Sequence, residues 1–140
     1  MKAAVVYWSG TGNTAAMAVL VAEGAKEGGA DVDIFTSANF SLAMIEQYDG
    51  IAFGCPSMGD EQLEETEFEP MFESCGEKLK GKKVVLFGSY GWGDGEWMRS
   101  WEDTCRNMGV MLADDGVICC NAPDEEASEQ CRNLGRMLAA

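Results

Sequence analysis

The chain alternates between two periodicities. Short apolar runs rich in Val, Ile, Phe and Tyr occupy residues 3–8, 32–36, 50–54, 83–88 and 110–119, and between them apolar residues recur three and four apart. Short apolar runs bounded by turn residues read as strands covered on both faces, whereas the three-and-four spacing marks helices that bury one stripe. Met17, Leu20, Val21 and Gly24 form the first stripe, and Gly28-Gly29 ends it. Phe68, Phe72, Cys75 and Leu79 form the second, with Pro70 tolerated in its first turn. Trp97, Trp101, Cys105 and Met108 mark the third. The last starts at Asp124, carries Glu125 and Glu126 in its positive first turn, and buries Cys131, Leu134, Gly135 and Leu138. Residues 41–46 form a short, weakly helical segment.

Strands that alternate with helices pair in parallel through right-handed crossovers. The expected class is α/β: a doubly wound five-stranded parallel sheet, order 2-1-3-4-5, with helices on both faces. With 140 residues, 46% of them hydrophobic, the chain suits a single domain over residues 1–140. Ligands of such sheets sit at the carboxyl ends of the strands, beside the switch between strands 1 and 3. The loops after Trp8, Gly54 and Gly88 are therefore expected to build the site.

The first loop reads Ser9-Gly10-Thr11-Gly12-Asn13-Thr14 and runs straight into a helix. Its glycines let backbone N–H groups turn toward one point, the helix N-terminus adds free donors, and three hydroxyls add more. No Lys or Arg lies between Ala3 and Gly24. A cradle without a cationic side chain suits a terminal phosphate held in place better than a phosphoryl group in transfer. A Walker loop is excluded because no G-K-[ST] follows the glycines. Gly10, Gly12 and Ala15 match the dinucleotide fingerprint in form, but the second strand ends in Thr36-Ser37 where that fingerprint needs an acid.

The second loop is Pro56-Ser57-Met58-Gly59-Asp60-Glu61, and the third is Ser89-Tyr90-Gly91-Trp92-Gly93-Asp94-Gly95-Glu96-Trp97. Trp92 stands between two glycines in a polar loop, a poor place for core packing and a good one for stacking on a planar ligand. Met58 offers a polarisable thioether for the opposite face. Trp97 and Trp101 fall on a helical stripe and read as core. Trp8 and Tyr90 fit either role.

Charge narrows the partners. Against 24 acids stand 10 bases, a net charge of −14. Nucleic acid and anionic membrane surfaces both need clustered Lys and Arg, so neither is an expected partner. An acidic protein is steered toward basic surfaces on other proteins. No apolar run approaches the roughly 20 residues that span a bilayer, and the N-terminal run lacks a cleavage site, so a cytoplasmic protein is expected. The six cysteines, Cys55, Cys75, Cys105, Cys119, Cys120 and Cys131, make no C-x-x-C pair, and no histidine is present. They read as reduced, mostly buried thiols, with Cys119 and Cys120 on opposite faces of a strand and no metal site.

Three motifs in order, Y-W-S-G-T-G-N-T, C-P-S-M-G-D-E and F-G-S-Y-G-W-G-D-G, resemble the flavin loops of short-chain bacterial flavodoxins, and the likeness runs from Met1 to the last helix. Long-chain members carry an insertion in strand 5, and nothing here interrupts that run. The resemblance implies a flavodoxin-like fold and a low-potential electron carrier that holds one FMN non-covalently. It implies single-electron shuttling between redox partner proteins, no substrate turnover of its own, and a monomer. Ser9, Gly10, Thr11, Gly12, Asn13 and Thr14 would bind the FMN phosphate. Met58 and Trp92 would enclose the isoalloxazine ring, supported by Pro56, Ser57 and Gly93. Glu61 would accept a hydrogen bond from flavin N3–H, and the Gly59–Asp60 peptide would face N5. Ser89, Tyr90 and Gly91 would meet the ribityl chain and ring edge through their backbones. Ser57 stands where alanine is common, and Cys119-Cys120-Asn121-Ala122 departs from the usual acidic approach to the last helix.

Two rivals share the architecture. An FMN-dependent quinone or flavin reductase needs a substrate pocket above the ring and usually more chain to build it. A phospho-receiver domain needs acids after strand 1 and an aspartate after strand 3, where this chain has Tyr7-Trp8-Ser9 and Phe53-Gly54-Cys55.

Overall fold

The computed structural model describes residues 1–140, the full sequence. Its strands are β1 (Lys2–Tyr7), β2 (Asp31–Thr36), β3 (Gly50–Gly54), β4 (Lys83–Tyr90), β5 (Met111–Leu112) and β6 (Val117–Cys120). The helices are α1 (Asn13–Glu27), α2 (Phe68–Cys75), α3 (Glu96–Asn107) and α4 (Glu125–Ala139). All pairings are parallel, in the order β2-β1-β3-β4, with β5 and β6 both on the outer edge of β4. The predicted order 2-1-3-4-5 is the one found.

The fifth strand is a correction. The expected continuous run 110–119 is split, because Asp114, Asp115 and Gly116 make a turn between β5 and β6. Asp114 Oδ1 accepts from the Asp115 amide at 2.9 Å, and Glu102 Oε2 on α3 accepts from the Gly116 amide at 2.8 Å. Asp and Gly are poor strand formers, and here side-chain oxygens take amides that a ladder would otherwise use. The weakly helical stretch 41–46 is a 3₁₀ segment, Leu42–Gln47.

Strand residues alternate between two core layers, as the pleat requires. Ala4, Val6, Ile51, Phe53, Val84 and Leu86 face α2 and α3 in a layer dominated by Phe40, Tyr48, Phe68, Phe72, Trp97 and Trp101. Ala3, Val5, Ala52, Val85 and Phe87 face α1 and α4 over a layer of small and aliphatic side chains. In that second layer the helices touch backbone to backbone. A Cβ on Gly24 would lie 1.8 Å from the Arg132 carbonyl oxygen, and one on Gly135 would lie 2.0 Å from that of Val21. Only glycine permits this approach, so both glycines on the helical stripes have a steric reason to be there.

The expected burial of most cysteines is found. Five are buried, Cys120 is exposed, and no disulfide forms. Burial pushes the thiols of Cys55, Cys105 and Cys131 up to about 12, so they stay protonated at neutral pH.

Candidate functional site

The three predicted loops converge. The β1 loop is pinned at its start by the Trp8 amide, which donates to the Gly54 carbonyl at 3.0 Å. Ser9 Oγ then accepts from the Gly12 amide at 3.0 Å and closes a tight turn. Gly12, at φ 98°, swings the chain into α1, whose first internal bond is Ala16 N–H to the Gly12 carbonyl. The amides of Ser9, Gly10, Thr11, Asn13, Thr14 and Ala15 donate to no protein acceptor. That is a ring of free N–H groups at a positive helix end, the chemistry of an anion cradle. Thr14 is buried, and its Oγ1 accepts from the Ser89 amide at 3.4 Å, which ties this loop to the third.

The second loop is a small hairpin. Met58 and Gln62 exchange both backbone hydrogen bonds, at 2.8 and 3.0 Å, around Gly59-Asp60-Glu61. Gly59 has φ 52° and Glu61 has φ 54°, while Asp60 keeps an ordinary negative φ. Positive φ at the first central position is what a primed turn requires, and glycine meets it without strain. The Ser57 amide donates to the Ser89 carbonyl at 3.0 Å and fixes the near leg of the hairpin to the end of β4.

The third loop turns on Gly93 (φ 87°) and Gly95 (φ 95°) into α3. The Glu61 carboxylate lies across Gly93, so close that a Cβ there would come within 2.5 Å of it, and Oε1 accepts from the Glu96 amide at 3.1 Å. Arg99 Nη2 bonds Asp94 Oδ1 at 3.0 Å beside this turn.

Between the loops lies a cleft of about 210 Å³ lined by Ser9, Gly10, Thr11, Asn13, Thr14, Pro56, Ser57, Met58, Ser89, Tyr90 and Gly91. Gly12, Gly59, Asp60, Glu61, Trp92 and Gly93, though predicted, are not among the residues that line it. Small-molecule clefts usually run to roughly 300–1,000 Å³, so this one takes part of a ligand and leaves the rest on the surface. There Trp92 is 61% exposed and Met58 is 36% exposed, two large side chains left for something to cover.

Two lining residues lie outside the predicted set. Trp8, undecided from sequence, borders the cleft, and its Nε1 donates to Glu67 Oε2 at 2.9 Å. Asn121 closes the far side at φ 61°, its amide donating to the Tyr90 carbonyl at 2.9 Å and its carbonyl accepting from Ser89 Oγ at 2.6 Å. An asparagine directly after a strand was the available signal, since Asn visits the left-handed region more readily than most residues.

The acids between residues 60 and 69 do not all face solvent. Glu64 is only 6% exposed. Burial alone would raise its pKa, but hydrogen bonds from the Thr66 hydroxyl and the Phe68, Glu67 and Thr66 amides hold it below the ordinary carboxylate value.

The family model described as Flavodoxin matches residues 5–135. A Clostridium beijerinckii flavodoxin is 46% identical over 135 residues, covering 96% of this chain and 97% of its own. A Megasphaera elsdenii flavodoxin is 43% identical over 135 residues, covering 96% of each. The chain belongs to the flavodoxin family. The solution structure of two-electron reduced Megasphaera elsdenii flavodoxin superposes with a TM-score of 0.88 at 42% identity, covering 98% of both chains. A flavodoxin from the domain Archaea gives 0.87 at 27% identity, covering 99% of this chain and 96% of that one.

As a flavodoxin, the protein binds FMN and transfers electrons to redox partners. FMN, when bound, supplies the electron-carrying chemistry. The cleft suits that group at both ends: unsatisfied amides without a cation for a phosphate, and an uncovered indole and thioether for a flat ring. No helix is long and apolar enough to cross a membrane.

Proposed function

We propose that the three loops divide one FMN between them. Ser9, Gly10, Thr11, Gly12, Asn13 and Thr14 hold the phosphate, through amides and the Thr11 and Thr14 hydroxyls. Pro56, Ser57, Ser89, Tyr90 and Gly91 follow the ribityl chain through their backbones. Met58 and Trp92 enclose the ring, with Gly59, Asp60, Glu61 and Gly93 shaping its polar edge. The free amides between Ser9 and Ala15 carry this reading, because six N–H groups without a protein acceptor gather at one positive helix end, the chemistry an anion needs. Glu61 bonds the α3 N-terminus in the structure, so for it to meet flavin N3–H the carboxylate must share that acceptor or turn from the Glu96 amide.

The chain works as a carrier without substrate turnover of its own. The shallow cleft supports this, since a reductase needs a second, deeper compartment over the ring. A monomer of one domain over residues 1–140, soluble in the cytoplasm, would meet partners with basic docking surfaces. The −14 net charge supports that choice.

Purified protein should be yellow, with Trp fluorescence that is quenched when FMN is present and recovers when it is stripped. Micromolar FMN should restore the quenching, and replacing Trp92 should remove most of it. Folded apoprotein that ignored FMN would defeat the site assignment, and sustained NADPH oxidation by the protein alone would defeat the carrier reading.

A further inference from the structure

The segment leaving the flavin hairpin depends on one side chain. Beyond Gln62 the chain crosses from the hairpin to α2 through Leu63 to Glu67, and Glu64 makes nearly all the hydrogen bonds along it. Glu64 Oε1 accepts from the Glu67 amide at 2.7 Å and the Phe68 amide at 2.9 Å. Its Oε2 accepts from the Thr66 amide at 3.0 Å and from the Thr66 hydroxyl. The Glu64 carbonyl takes the Glu69 amide at 2.9 Å, and the Glu64 amide donates to Cys55 Sγ at 3.3 Å. That last bond joins the far leg of the hairpin to the residue that opens its near leg. The Glu67 carboxylate reaches back to accept from Trp8 Nε1 at the start of the β1 loop.

Ordinary caps use Ser, Thr, Asp or Asn directly before the helix. Glu64 stands three residues earlier, and its longer side chain bridges the gap. The helix end, packed into the core through Phe68 and Phe72, is thereby tied to the turn carrying Gly59, Asp60 and Glu61. We propose that Glu64 is a positioning residue for the flavin ring: a buried carboxylate that caps α2 and so sets the height and tilt of the Met58–Gln62 hairpin over the isoalloxazine. This rests on the ring assignment above and goes beyond it, since Glu64 itself touches no part of the cleft.

The test compares Glu64→Gln with Glu65→Gln in the full chain. Both lose one negative charge, but Glu65 is exposed and caps nothing. Riboflavin probes the ring end alone, inorganic phosphate the anchor alone, and FMN both. In Glu64→Gln the dissociation constants of riboflavin and FMN should rise by the same factor, at least about fivefold, while phosphate affinity stays within twofold of the parent. The two midpoint potentials of its bound FMN should shift by more than those of Glu65→Gln. Glu65→Gln should leave all three affinities within twofold. Riboflavin affinity and potentials indistinguishable between the two variants would overturn the proposal, as would a loss confined to FMN and phosphate. Should Glu64→Gln not fold, Thr66→Val removes one donor to the same carboxylate, and riboflavin affinity at least twofold weaker is expected; no change there overturns it. A parent protein that bound phosphate but no riboflavin would instead refute the ring assignment.

Discussion

The two ends of the cleft are made of different material. The end proposed for the phosphate is backbone: free amides of the β1 loop and the first turn of α1, shaped by Gly12 and a Ser9 hydroxyl that bonds within the loop. The end proposed for the ring is side chain and turn: Met58 in the lining and Trp92 exposed beside it, held by a hairpin and a glycine turn whose residues take positive φ. An anchor made of amides offers little for a side-chain change to remove, yet it fails if the chain path moves. A slot made of side chains can be retuned residue by residue, because its parts are not also parts of a helix. The comparison explains how one scaffold can fix where its cofactor sits while leaving open how strongly it holds an electron.

Trp92→Ala should bear hardest on the ring end. Lost stacking of ~0.5–1.5 kcal/mol, together with the uncovered indole area, gives roughly a hundredfold weaker binding. Riboflavin and FMN titrations should show equal losses; a loss for FMN alone would break the division. Gly12→Val strains a φ of 98°. At about 2 kcal/mol it should weaken FMN roughly thirtyfold and riboflavin hardly at all. Gly59→Val puts a β-branched residue at a φ of 52°. The penalty of ~1–2 kcal/mol should weaken riboflavin and FMN alike, roughly tenfold, in the same titrations.

Smaller effects sharpen the picture. Neutralising Glu65 or Glu96 removes a charge worth roughly 0.8 kcal/mol at ~10 Å and an effective dielectric near 40. Each change should raise the second potential by on the order of 35 mV at low ionic strength, and by less in high salt. The smallest effect is on pH. The folded-state pKa of Glu64 is depressed, so its contribution to stability is complete above the unfolded Glu value and disappears as pH falls through the folded one. Denaturant titrations of the parent should therefore lose stability on acidification below about pH 4 faster than those of Glu64→Gln.

The parts legible in the sequence were those governed by local rules. The strand order follows from the alternation of apolar runs and helical stripes. The row of free amides in the β1 loop follows from glycines and hydroxyls placed just before a helix. What stayed hidden depended on partners far along the chain. Glu64 reads as one more surface acid among Glu61, Glu65 and Glu67, because its donors become visible only when the segment folds back on α2. The break after β5 hid between two apolar stretches. Asp114-Asp115-Gly116 marks a turn, but the Glu102 carboxylate that receives it comes from another element. Asn121 entered the cleft through its backbone angle, which its identity permits without requiring.

The contact of α1 with α4 bears on how the cofactor is captured. Interlocked main chains at Gly24 and Gly135 leave α1 no room to slide or tilt, so the ring of donors at its head stands ready before any ligand arrives. An anionic tail would then meet a finished berth rather than one assembled on arrival.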